Sequence, residues 1–192
     1  LFHLSYEANL RVLLLGIEAL TTKYPDLEIT VTMRGVVFRE GFSAAAKVKI
    51  LPYGPEADVQ ADLREADVVY LPLPFQRREA DFVRYSLSTK MVTYLGCGLP
   101  ILYHGPREAA VCEVLLESGA ALICDSLERA RVELSLNDII GKPDLATSSV
   151  ARAAALARKR FMLADQCSRF WDAIEADMST TQTPYIRTAS PQ

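Results

Sequence analysis

Residues 67–104 read DVVYLPLPFQRREADFVRYSLSTKMVTYLGCGLPILYH. Asp67–Pro72 has the length of a strand and is apolar on both faces, as the central strand of a parallel sheet must be. A polar stretch, Gln76–Tyr85, follows and reads as a solvated loop. Ser86–Gly96 then puts Met91, Tyr94 and Leu95 on one helical face. Gly96 and Gly98 allow a left-handed helix end, and Pro100 cannot continue a helix. Leu99–His104 is the next strand. Strands joined through a single helix pair in parallel by a right-handed crossover.

The same alternation extends outward from this unit. Upstream, apolar residues from Tyr6 to Tyr24 recur at helical spacing, with Ser5 as an N-cap and Pro25 as a stop. Leu27–Met33 is a β-branched strand, Phe38–Lys47 a short helix, Val48–Leu51 a strand and Glu56–Glu65 a short polar helix. Downstream come a helix over Arg107–Glu117, a stop at Gly119, a strand at Ala120–Cys124 and a helix over Ser126–Ile140. Gly141-Lys142-Pro143 breaks the chain before helices at Ser148–Met162 and Ala164–Ala176. Cys167, Phe170, Trp171 and Ile174 mark an apolar stripe on the last helix, and Phe170 and Trp171 are expected to pack, either on this sheet or against a half of the protein absent from this chain. With Leu1–Leu4 as a first strand, the expectation is a three-layer, Rossmann-like, doubly wound parallel α/β sheet of about six strands with extra C-terminal helices. It occupies residues 1–176, and the Ser/Thr/Gln/Pro-rich remainder, 177–192, is expected to be a disordered tail.

The 192 residues carry a formal charge of −3, half are apolar and 23% are charged. That balance argues against a nucleic-acid partner and against a polybasic membrane surface. No apolar run has the length of a membrane helix, and Leu1–Tyr6 lacks the basic start of a signal peptide. Cys97, Cys112, Cys124 and Cys167 form no CxxC, and the histidines are His3 and His104. The expectation is reduced core thiols in a cytoplasmic protein, with no metal and no cofactor. The chain opens on Leu1-Phe2-His3-Leu4 without an initiator Met, as a piece of a longer protein would.

Ligands of doubly wound sheets sit at the carboxyl ends of the strands. The loop there after the first strand, Ser5–Asn9, has no glycine, and neither GxGxxG nor GxxxxGK[ST] occurs anywhere. The third strand ends at Leu51-Pro52-Tyr53, without the acid of a phosphate-receiving regulator. The start of the helix in the opening stretch is richer. Ser86 and Ser88 are candidate N-caps, free N–H groups and the positive helix end attract anions, and Thr89 and Lys90 add a hydroxyl and a full charge. This chemistry suits a diphosphate. The plainer alternative is a serine that only caps and a lysine that is only solvated.

Ser88-x-Lys90, Tyr94-Leu95 and Gly98-x-Pro100-Ile101-Leu102 together resemble the donor-site motif of GT-B glycosyltransferases of the family-four (group 1) type. The surrounding order is also similar: Glu18-Ala19-Leu20, Tyr24–Ile29, Val48–Gly54, Leu63–Pro72, Gly105–Glu108 and Gly119–Ile123. The resemblance spans Leu1 to Arg129. It implies the C-terminal, nucleotide-sugar-binding half of a two-domain transferase that acts in polysaccharide or glycoconjugate synthesis, with a UDP- or GDP-linked sugar as donor. An absent N-terminal half would hold the acceptor and any peripheral membrane contact.

By the same resemblance, Ser88, Thr89 and Lys90 hold the diphosphate, and Pro52, Tyr53 and Gly54 meet the base through backbone groups. Thr93 and Tyr85 stand where the family often has two glutamates. The first loop lacks the family's arginine and lysine, which leaves Lys90, with Arg34 or Arg84, to neutralise the phosphates. His104, at a strand end, either touches sugar or phosphate or is a plain exposed loop residue. No general base is visible, so the chain alone is expected to bind donor weakly and transfer nothing. The alternative is a non-catalytic module whose nucleotide site has decayed and which serves protein contacts.

Overall fold

The structure, a computed structural model, describes residues 6–35 and 47–180. The expected first strand Leu1–Leu4, the Ser5 cap, residues 38–46 of the expected helix and the tail from 181 onward lie outside the described residues.

Helix α1 (Glu7–Lys23) is followed by β1 (Thr30–Arg34), β2 (Lys47–Leu51), α2 (Glu56–Arg64) and β3 (Val69–Pro72). A 3-10 turn (Arg77–Glu79), α3 (Ala80–Tyr85), α4 (Thr89–Gly96), β4 (Ile101–His104), α5 (Ala110–Ser118) and β5 (Leu122–Cys124) complete the sheet region. Helices α6 (Arg129–Gly141), α7 (Pro143–Arg160) and α8 (Leu163–Thr180) end it. The strands pair in parallel as the crossover rule requires. β1 pairs with β2 from Thr30↔Lys47 to Arg34↔Leu51. β3 pairs with β4 from Val69↔Ile101 to Pro72↔His104, and β4 with β5 from Leu102↔Leu122 to His104↔Cys124. The chain is thus mixed α/β. The described residues form a two-stranded and a three-stranded sheet rather than one sheet of six strands.

Strand alternation divides the core in two. Ile101 and Tyr103 of β4 join Leu71, Met91, Leu95, Val111 and Leu115 on one side, together with α7 residues Ala153 and Leu156. Leu102 joins Leu10, Leu13, Leu14, Ile17 and Val132 on the other. Each such side chain contributes about 1.5–3 kcal/mol when fully buried. Helices α1 and α6 therefore cover one face, and α4, α5 and α7 the opposite face. The end of α5 shows why a glycine stands there. Gly119 has φ 63°, and its carbonyl accepts from Arg152 Nε at 3.0 Å. Gly98 likewise turns left-handed, with φ 79°, whereas Gly96 stays inside α4.

Three expectations are corrected. The polar stretch is helical over Arg77–Tyr85, with Val83 buried in the core. Lys47 begins a strand rather than ending a helix. Of the two partners expected for Phe170 and Trp171 on α8, the sheet is not one. Phe170 and Trp171 are 60% and 59% exposed and meet each other edge-on at 5.5 Å. Cys167 is exposed as well, and Cys97 is only half-buried, so Cys112 and Cys124 alone are buried thiols.

Candidate functional site

The carboxyl ends of β3 and β4 are tied together by a residue of α1. Asn9 Nδ2 donates to the carbonyls of Leu73 and His104, both at 2.9 Å. Asn9 is fully buried, and its Oδ1 has no hydrogen-bond partner. A polar residue set on the apolar stripe of α1 was the one signal of this role in the sequence.

His104 is neither an exposed loop residue nor open to a ligand here. Its ring is fully buried, with Nδ1 2.7 Å from the Tyr70 hydroxyl and Nε2 2.8 Å from the Ser126 carbonyl. A carbonyl only accepts, so Nε2 carries the hydrogen and Nδ1 accepts from Tyr70. Phe75 covers the ring edge-on at 5.5 Å. Burial pushes the His104 pKa down, against a smaller opposing pull from the Ser126 carbonyl. Both nitrogens serve the interior.

The start of α4 is more open. Ser88 is its N-cap in extended conformation, yet no side chain closes the cap. The Ser88 carbonyl accepts from the Met91 N–H at 3.0 Å. Thr89 and Lys90, next in the chain, are exposed. Lys90 Nζ lies 5.7 Å from the centre of the Tyr6 ring, and partial desolvation there lowers its pKa. Burial, and secondarily the charge of Glu79, raise that of Tyr6. The first residues of α1, the 3-10 turn and the start of α4 thus converge on one spot. Gln76 Oε1, which just precedes that turn, is buried without a hydrogen-bond partner. An uncapped helix start beside an ammonium has the donors and the field to hold an anion.

The other expected residues fall in several places. Ser86 closes α3, its N–H donating to the Phe82 carbonyl at 3.0 Å. Thr93 turns its hydroxyl back onto the Thr89 carbonyl at 3.4 Å. Tyr85 is exposed, with the Arg84 guanidinium 5.9 Å from its ring centre. Pro52, Tyr53 and Gly54 form the turn after β2, on the two-stranded sheet.

Arg34, expected as a candidate for the phosphates, is bound to that turn instead. Its Nη1 donates to the Pro52 carbonyl at 3.1 Å, and Nε and Nη2 grip both Asp62 oxygens at 2.7 and 3.1 Å. The hydrogen bond between them holds the Arg34 pKa above its usual value and the Asp62 pKa below its own. Sequence reasoning missed this pair, because nothing local links positions 34 and 62.

Among the described residues no cluster of three His, Cys, Asp or Glu side chains could hold a metal ion. None of the described helices is long and apolar enough to cross a membrane. No protein-family model matches the chain, and no curated protein matches it.

Proposed function

We propose that this chain is the nucleotide-sugar-binding domain of a GT-B glycosyltransferase of the family-four type, transferring a sugar from a UDP- or GDP-linked donor in the cytoplasm. The observation that carries this is the start of α4. There an N-terminus without a side-chain cap stands next to Lys90, itself held against the Tyr6 ring. In this reading the two parallel sheets are parts of one doubly wound sheet. The α1 core supports it, since it gathers Met33 and Val31 from one sheet and Leu102 and Tyr70 from the other.

Sugar transfer leaves negative charge growing on the departing diphosphate. The amides at the start of α4 and the Lys90 ammonium would stabilise that charge from fixed positions, without reorganising when the bond breaks. In this reading acceptor activation falls to a second domain.

A second reading, a non-catalytic module with a decayed nucleotide site, is favoured by Thr93, whose hydroxyl is turned back into its own helix, and by Arg34, which is engaged elsewhere. Calorimetric titration with uridine and guanosine diphosphates, beside a Lys90→Ala variant, separates the two. Saturable binding that the substitution weakens supports the donor site. Absence of binding to either nucleotide supports the module.

A further inference from the structure

Helices α1 and α7 each bury a face, whereas every residue from Met162 to Ala173, through the first half of α8, is exposed. Leu163, Phe170 and Trp171 keep 77%, 60% and 59% of their surface in water, and Cys167 is exposed beside them. An aromatic side chain offers about 150–250 Å² of contact area. A helix of this length that packs on nothing is marginal in water, so the stripe gains by being covered.

The order of the apolar intervals adds what a stripe alone does not tell. Leu163, Cys167, Phe170, Trp171, Ile174 and Met178 are separated by 4, 3, 1, 3 and 4 residues. That series reads the same from either end, and at helical pitch the positions fall within about 100° of arc. A second α8 laid antiparallel, with a twofold axis between Phe170 and Trp171, therefore sets apolar on apolar along the whole seam. Leu163 meets Met178 of the second copy, Cys167 meets Ile174, and the aromatic residues of both copies gather at the axis. A closed dimer has this self-complementarity, in which residue i meets j and j meets i. A stripe shaped for a different chain has no reason to be symmetric.

Charge fits the same partner. α8 carries Asp165, Asp172, Glu175 and Asp177 against Arg169 alone, and anionic lipid headgroups repel such a helix. In the antiparallel register Asp165, Arg169 and Asp172 lie on the side away from the seam. Glu175 stands opposite Ala164 and Ser168 of the second copy, and Asp177 opposite Gln166, so no like charges face each other.

We infer that the α8 stripe is a self-association surface, whose partner is α8 of a second copy of this chain, antiparallel about Phe170 and Trp171. The inference is independent of the donor-site reading, and its test involves no nucleotide.

The test is sedimentation equilibrium of the full 192-residue chain under reducing conditions. The mean mass should rise with concentration from 21.3 kDa towards twice that value in the micromolar range, as for a small interface. Trp171→Ala should weaken the dimer at least about tenfold, as for an aromatic residue at the centre of an interface. Cysteines read the register. Two copies of Cys167 would lie about 10 Å apart along the seam, too far for a disulfide, so the unaltered chain should form no covalent dimer through them. Ile174→Cys places a thiol opposite Cys167 of the second copy. Mild oxidation should then give a covalent dimer, which the further change Cys167→Ser removes.

A mean mass that stays at 21.3 kDa throughout the micromolar range overturns the inference, and the stripe then serves a different chain or another segment. Association untouched by both Phe170→Ala and Trp171→Ala also overturns it. So does a disulfide between two copies of Cys167 in the unaltered chain, which requires parallel helices, and so does a dimer that Ile174→Cys fails to cross-link.

Discussion

In β4 every residue is buried, and Tyr103 packs fully enclosed between the sheet and its helices. In β2, two places away in the chain's strand order, Ile50 is 49% exposed and Lys47 and Lys49 face solvent. Both strands are short and parallel, yet different forces hold them. The three-stranded sheet is located by apolar side chains on both faces. The two-stranded sheet is covered less, and the turn after β2 is tied to α2 by Arg34, which bonds the Pro52 carbonyl and Asp62. A packed core is rigid and insensitive to salt, whereas a partly buried ion pair is directional but still partly screened. The proposed phosphate corner, at the start of α4, stands on the first kind of support.

The contrast breaks if truncation costs the same in both sheets. Leu115→Ala, in the α5 core, should lower unfolding stability by about 3 kcal/mol in urea denaturation. An equal loss from Ile50→Ala would show that the two-stranded sheet is no less tightly built. Next in size, Lys90→Ala should weaken uridine diphosphate at least about tenfold, equivalent to about 1.4 kcal/mol. Because Lys90 is exposed, the urea midpoint should barely move.

A further prediction sharpens the contrast through pH. The folded pKa of His104 lies below its ordinary value because burial disfavours the charged ring. Between the two pKa values the unfolded chain binds more protons, so stability rises with pH across that interval. The contribution is complete above the ordinary histidine pKa, is lost as pH falls through it, and levels off below the folded pKa. His104→Gln keeps a donor for Ser126 and cannot charge. It should flatten the fall in urea midpoint between about pH 7.5 and pH 5.5.

The smallest effect belongs to Asp58. Its single contact to Arg34 is 3.4 Å long and its side chain is half exposed, so Asp58→Asn should leave the melting temperature unchanged within error. A clear drop would mean that Asp58, rather than Asp62, anchors Arg34.

Much of the element order was legible in advance. Strands at 27–33, 48–51, 67–72, 99–104 and 120–124 all exist, with ends trimmed or shifted by a few residues, because runs of branched and apolar residues between turn formers leave the backbone little else to do. The misread segment, Gln76–Tyr85, had a weak local pattern, and the α8 stripe left its partner open. Val83 is a lone apolar anchor in a polar run, and a helical stripe says that a face is apolar without saying what covers it. The candidate site was half legible. Ser88, Thr89 and Lys90 stand at a helix start as expected, whereas His104 and Arg34 turned inward to partners that no spacing rule connects.

Composition, periodicity and punctuation by themselves determined a chain of alternating helices and short strands, with parallel pairing, a helix end at Gly96 or Gly98 and a helix stop at Gly119. These depend on the backbone preferences of near neighbours. Only the tertiary structure decided that Asn9 bridges two strand ends, that Tyr70 and Ser126 enclose His104, and that Asp62 captures Arg34. Each of those contacts joins residues more than twenty positions apart. Such pairs form only once the sheets and helices have closed, when a buried polar group must find whatever partner the packing brings within reach.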